Sequence, residues 1–158
     1  MVTYIGIDPG LSGAVGVVSA NGVWAYDTPV LWVEGKRKYH AGAMALLLKP
    51  FVDVECLVVL EAVHSMPKQG VASSFTFGEG LGMWKGIVAA FELPLELPSP
   101  QRWKKEIMAD MGRDKDASIL KAIQLFPTIA SQLSRKKDDG RAEALLLAEY
   151  GRRLRKGQ

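Results

Sequence analysis

The sequence predicts an α/β protein: a mixed sheet with helices on its faces. Three observations carry this. The chain opens with β-type apolar runs separated by turn residues, the pattern of antiparallel hairpins. Cys56-Leu57-Val58-Val59-Leu60 is a continuous apolar run, the composition of a strand buried on both faces. Segments with apolar residues at helical spacing then separate the later strands. A hairpin group followed by β/α alternation gives a mixed sheet.

In order, Tyr4 to Val18 reads as two strands, with Ile5 and Ile7 in the first and Val15, Val17 and Val18 in the second. The turn between them is Asp8-Pro9-Gly10-Leu11-Ser12-Gly13. Gly22 to Thr28 is a third strand behind the Asn21-Gly22 hairpin signal. Pro29 to Lys38 reads as a loop, basic at its end. Tyr39 to Val52 carries Met44, Leu47, Leu48 and Phe51 at helical spacing, with Pro50 marking termination or a kink. The apolar strand ends in Glu61. A loop from His64 to Ala72 leads to a glycine-rich helix, Ser73 to Phe91. Glycine costs a helix roughly 1 kcal/mol per position against alanine. Gly78, Gly80, Gly82 and Gly86 therefore imply a broken helix or a surface approached closely by another backbone. Leu95-Glu96-Leu97 is a short strand stopped by Pro98. Helices follow over Pro100 to Met111, Asp114 to Phe126 and Arg141 to about Leu154.

The 158 residues suit one domain spanning 1–158 with a short basic tail. At 48% apolar the chain is globular rather than disordered, and no stretch is long and uncharged enough to cross a bilayer. The opening MVTYIGID lacks the basic and apolar regions of a secretory signal. Cys56, the single cysteine, excludes an internal disulfide and reads as a small core residue. A cytoplasmic protein is expected, in a bacterial or phage-infected cell, ahead of one in an organellar nucleoid. The net charge is +3, gathered in Lys36-Arg37-Lys38, Arg102-Lys104-Lys105, Arg135-Lys136-Lys137 and Arg152-Arg153-Arg155-Lys156. Any one cluster suits a solvated surface; four in a short chain suit a polyanion such as nucleic acid.

The acids form a second pattern. Asp8 and Glu61 each end an apolar strand, where a carboxylate is costly unless a cation or hydrogen bond compensates it. Asp139 and Glu143, four apart, share a face of the last helix beside Ala144-Leu145-Leu146-Leu147-Ala148. Singly, Asp8 reads as a turn aspartate and Asp138 or Asp139 as a helix N-cap. Together they are a cluster of like charges that calls for cations, and oxygen ligands suit Mg²⁺ or Mn²⁺. Two such ions can clamp the attacking and leaving oxygens of a phosphoryl displacement.

IGIDPGLSGAVGVV, VVLEAV, SSFTFGEGLGMWKGI, PSPQRWKKEIM and DDGRAEALLLA, in this order, resemble the RuvC branch of the RNase H-like superfamily. The flavour is that of bacteriophage and chloroplast Holliday junction resolvases. The resemblance implies an RNase H-like mixed five-stranded sheet, its first three strands antiparallel and the rest parallel, flanked by helices. It implies a homodimer that resolves four-way DNA junctions by paired, metal-dependent nicks in recombination, repair or phage DNA processing. Carried over, Asp8, Glu61, Asp139 and Glu143 are catalytic acids holding two Mg²⁺ per site (Mn²⁺ substituting), with Asp138 the fallback for Asp139. A catalytic lysine matches Lys115 best, ahead of Lys121 and Lys137. DNA contacts fall to His64 and Phe75, with Phe77 read as core. Lys68, Ser73, Ser74, Lys85, Lys104, Lys105 and Lys137 are read as phosphate contacts. Trp84 and Trp103 are assigned to packing. The Asp8 turn also resembles the phosphate turn of actin-like ATPases, but those need two such domains, so no nucleotide cofactor and no membrane partner is expected. The alternatives are an RNase H-like nuclease for another branched or hybrid nucleic acid, and a non-catalytic junction binder.

Overall fold

The computed structural model describes residues 1–157; Gln158, the end of the basic tail, lies outside the described residues. A five-stranded sheet is built from β1 (Thr3–Asp8), β2 (Ala14–Ser19), β3 (Gly22–Asp27), β6 (Cys56–Leu60) and β7 (Leu95–Glu96). The strand order is β3-β2-β1-β6-β7. The first three strands are antiparallel, while β6 runs parallel to β1 and β7 parallel to β6. This is the mixed sheet expected from the hairpin signals and the later apolar runs.

Pro29 to Lys38 is not a loop. It folds as a separate hairpin of β4 (Val30–Val33) and β5 (Lys36–Tyr39). The turn is Glu34-Gly35, with φ of 50° and 74°. Two central residues at positive φ are the twisted turn that favours a tight hairpin. The strands are only four residues each, and β5 is mostly charged, so no alternation of apolar residues marked them.

The helices are α1 (Ala41–Leu48), α2 (Val71–Ala90), α3 (Pro100–Ile107), α4 (Ala117–Leu125) and α5 (Asp139–Lys156). At Pro50, α1 gives way to a 3₁₀ turn, Lys49–Phe51. Ser99 caps α3, its side chain accepting from the Arg102 amide at 3.3 Å. That helix stops at Ile107 rather than Met111, and α4 begins at Ala117 rather than Asp114. The glycine-rich α2 is unbroken. Gly80 is buried against Tyr39 and Pro9, whereas Gly78, Gly82 and Gly86 have open space where a Cβ would stand.

Both faces of the sheet are covered. Ile5, Ile7, Val15, Val17, Val58 and Leu60 pack with Met44, Leu48, Trp84 and Val88 under α1 and α2. Tyr4, Val18, Leu57 and Val59 pack with Trp103, Leu146 and Tyr150 under α3, α4 and α5. Cys56 is buried in the first of these clusters. Gly6 and Gly16 are cross-strand partners beneath α5. A Cβ on Gly6 would overlap the Ala144 carbonyl, and one on Gly16 would sit 2.6 Å from the Leu145 amide nitrogen. Here glycine lets the helix backbone lie directly on the sheet.

Candidate active site

Asp8 ends β1, and the Glu61 amide donates to the Ile7 carbonyl at 3.1 Å, one step past β6. The parallel ladder therefore sets the two acids side by side at the carboxyl edge of neighbouring strands, where open α/β sheets bind ligands. The glycine contact of β1 and β2 seats α5 over the same edge. Gly140 there lies against the Ser12 carbonyl, again too close for a Cβ. Asp139 and Glu143 thus overhang Asp8.

Asp8 is half-buried, and its carboxyl is pushed up to about 7. Burial is the main cause, followed by the charges of Glu143 and Glu61; the Gly10 amide pulls the other way and Asp139 adds a little. Glu61 is buried, and burial raises its carboxyl too, opposed by a hydrogen bond from Trp103. That indole Nε1 donates to Glu61 Oε1 at 2.9 Å. Glu143 Oε1 accepts from Lys104 Nζ at 3.0 Å and from Ser118 Oγ at 3.4 Å. Burial works against the Lys104 charge, but Glu143, Glu61 and Asp8 together hold the ammonium above an ordinary lysine. Asp138 is buried and chelated by Arg135 at 2.7 Å, which holds its carboxyl low. It caps the turn before α5, whereas Asp139 is exposed and shares a cavity with Asp8.

Among the described residues, no three acidic, histidine or cysteine side chains already converge to hold a metal ion. Glu61 is turned to Trp103 and Glu143 to Lys104. The donor chemistry nevertheless fits a hard divalent cation: four carboxylates, with Asp8 pushed towards its neutral form by burial first and by the charges of Glu143 and Glu61 next.

The cavity over Asp8 measures about 530 Å³ and is lined by Asp139, Arg37, Tyr39, Ser73 and Phe77 among others. Phe77 is thus not a core residue, being 41% exposed. Glu143 faces a second groove with Lys104, Lys105 and Lys115. Of these lysines it is Lys104, not Lys115, that is paired with an acid. His64, Ser74 and Phe75 line a third groove, bounded by Phe77, and Phe75 is 72% exposed. Lys68 and Lys85 are exposed, the one on the loop before α2 and the other on α2 itself. Lys121 is buried and paired with Asp110 at 2.8 Å, a structural contact. Lys137 lines a smaller pocket with Arg37 and Arg135, beside the Asp8 turn. Sequence reasoning missed Arg37 and Trp103 at the site. In the sequence Arg37 is only one of a basic cluster, and its place on the hairpin strand β5 is what aims it at the site. For Trp103 no sequence signal distinguished a donor to Glu61 from packing.

No family model matches the chain. The structure superposes on Thermus thermophilus RuvC in complex with a Holliday junction substrate with a TM-score of 0.58 at 14% identity. That match covers 98% of this chain and 96% of the other. The chain has the RNase H-like fold of RuvC. A second Thermus thermophilus RuvC structure gives a TM-score of 0.55 at 16% identity, over 96% of each chain. In sequence, the chain is 29% identical over 124 residues to the chloroplastic Holliday junction resolvase MOC1 of Chlamydomonas reinhardtii. The match covers 77% of this chain and 14% of that longer protein. No helix among the described residues is long and apolar enough to cross a membrane.

Proposed function

We propose that this chain is a structure-selective DNA endonuclease that resolves four-way junctions by paired, metal-dependent phosphodiester hydrolysis. The observation that carries the reading is that Asp8, at the end of its strand, feels the charges of Glu61 from the neighbouring parallel strand and of Glu143 and Asp139 from the helix laid over them. Likeness to a Holliday junction resolvase in sequence and to RuvC in fold supports the substrate.

Asp8, Glu61, Asp139 and Glu143 would hold two Mg²⁺ ions, with Mn²⁺ able to substitute. Bound there, the cations would supply Lewis-acid stabilisation of the phosphate charge and an acidified water. The chain's own residues do the rest. Trp103 fixes the rotamer of Glu61. Lys104 neutralises Glu143 and stands ready to meet a phosphate oxygen. Lys105 and Lys115 on one side, and Arg37 and Lys137 on the other, form basic walls for the DNA backbone. Ser73, Ser74, Lys68 and Lys85 add phosphate contacts along α2 and the loop before it. His64 and Phe75, in an open groove beside that helix, are placed to meet unstacked bases. Two copies of the chain, each carrying one site, would make the paired cuts.

The test is a gel assay of cleavage in Mg²⁺ and in Mn²⁺, comparing a synthetic four-way junction with linear duplex, flap and RNA–DNA hybrid. Symmetric nicks in the junction alone are expected. Preference for the hybrid or flap would move the chain to another RNase H-like activity. Junction binding without cleavage in either metal would make it a binding protein.

A further inference from the structure

The β4–β5 hairpin carries a row of side chains leading outward from the acids. Val30 pairs with Tyr39 and Trp32 with Arg37, so strand alternation puts these four on one face. Tyr39 is buried, its Oη donating to the Pro9 carbonyl at 3.1 Å. Arg37 is one step further out. Its guanidinium donates to Ser12 Oγ at 3.0 Å and to the Leu11 carbonyl at 3.4 Å, and it lines the cavity of Asp8. Trp32 ends the row, 71% exposed. The opposite face adds Lys36 and Lys38 across from Val33 and Leu31.

Folding does not account for this indole. The hairpin is a two-stranded sheet apart from the main one, and Trp32 belongs to neither hydrophobic cluster. The tight Glu34-Gly35 turn and the buried Tyr39, bonded to the Pro9 carbonyl, tie the hairpin to the turn that follows Asp8. An open aromatic interleaved with cations beside a carboxylate cluster matches the chemistry of an unstacked nucleotide: a π-face for the base and positive charge for the phosphates.

We propose that the β4–β5 hairpin is a nucleic-acid finger, in which Arg37 holds a backbone phosphate at the edge of the acid cavity and Trp32 stacks on an unpaired base beside it. The identity of that base as one at a junction's branch point rests on the function proposed above; the finger itself does not.

The experiment uses the full chain carrying Asp8→Asn, which keeps the DNA uncut. It is titrated with four-way junctions bearing 2-aminopurine at successive positions around the branch point, and with single-stranded and duplex controls. A stacking change in 2-aminopurine fluorescence is expected at one or two positions. Trp32→Ala should abolish it and weaken junction binding by about 5- to 100-fold, and Trp32→Phe should restore part of both. Arg37→Ala should keep the stacking signal and lower the salt-dependence slope by about 1. Unchanged fluorescence in Trp32→Ala overturns the finger, whether or not affinity falls. If the parent protein binds junction no better than duplex, the junction function fails. A Trp32-dependent signal on single strands would then still uphold the finger. If no DNA form binds, both fall.

Discussion

Trp103 Nε1 donates to Glu61 Oε1 at 2.9 Å, with both side chains buried. The indole is a core residue and the holder of an acid at once. Trp103→Phe keeps most of the packing and leaves one carboxylate oxygen without its donor. The expected cost is about 1–3 kcal/mol of stability. A partner that orients a metal ligand is typically worth about 10- to 100-fold in metal affinity or activity. The variant should therefore need more Mg²⁺ for half-maximal cleavage while binding junction normally. A Mg²⁺ titration of cleavage, beside a thermal melt, measures both.

Asp8 makes the metal-free protein sensitive to pH. Burial, with the charges of Glu143 and Glu61, pushes its folded carboxyl up to about 7, against 3.8 as the ordinary value. The folded state therefore keeps a proton that the unfolded chain releases, and stability falls as pH rises through the window from about 4 to 7. The loss across that window is on the order of 4 kcal/mol. Melting in chelator across this range should show the decline. Asp8→Asn should flatten the slope and raise stability at pH 8 while abolishing cleavage. Glu61→Gln should likewise abolish cleavage and spare junction binding. A wild-type cleavage rate in either variant removes that acid from the site.

The acids were legible in the sequence because strand ends announce themselves. An apolar run that stops at Asp8, and another that stops at Glu61, fixes where those carboxylates stand once the strands pair in parallel. Helical spacing sets Asp139 beside Glu143, and it is Asp139 that lines the cavity with Asp8, whereas Asp138 is paired with Arg135. The hairpin was not legible. Lys36-Arg37-Lys38 looks like solvated charge, and only the pairing with Leu31, Trp32 and Val33 makes it a strand. Phe77 reads as core from the sequence yet is 41% exposed, because an aromatic on a helix carries no mark of which side the helix turns to the core. The Gly6–Gly16 pair, which seats the last helix on the sheet, lay hidden inside apolar strands.

Lys104 and Lys115 share a groove with Glu143, but only Lys104 is in contact with it, at 3.0 Å. Lys104→Ala should lower the cleavage rate by about 100-fold, the scale of losing one donor aimed at developing charge. Lys115→Ala should act mainly through the salt dependence of binding. Single-turnover rates at saturating protein, set against binding isotherms, separate the two. Equal losses in rate from both substitutions would return Lys115 to the role the sequence suggested.

Two glycines of α2, two residues apart, should respond to alanine in opposite directions. At Gly82 a Cβ meets nothing within 4 Å. Replacing a helical glycine there removes backbone freedom from the unfolded chain and should stabilise by about 1 kcal/mol. At Gly80 a Cβ would overlap Tyr39 and reach within 2.7 Å of the Pro9 carbonyl oxygen. Tyr39 is the anchor of the hairpin, and Pro9 follows Asp8 directly. Gly80→Ala must therefore displace either the ring or the turn, at a cost of about 1–3 kcal/mol. It should also weaken DNA binding, because Arg37 and Trp32 move with Tyr39. Denaturant melts of the two variants, followed by junction titrations, read both effects. A Gly80→Ala protein with normal stability and binding would show that the hairpin is not held through this contact. A destabilised Gly82→Ala protein, worse on dilution, would assign the open face of α2 to the second copy of the chain.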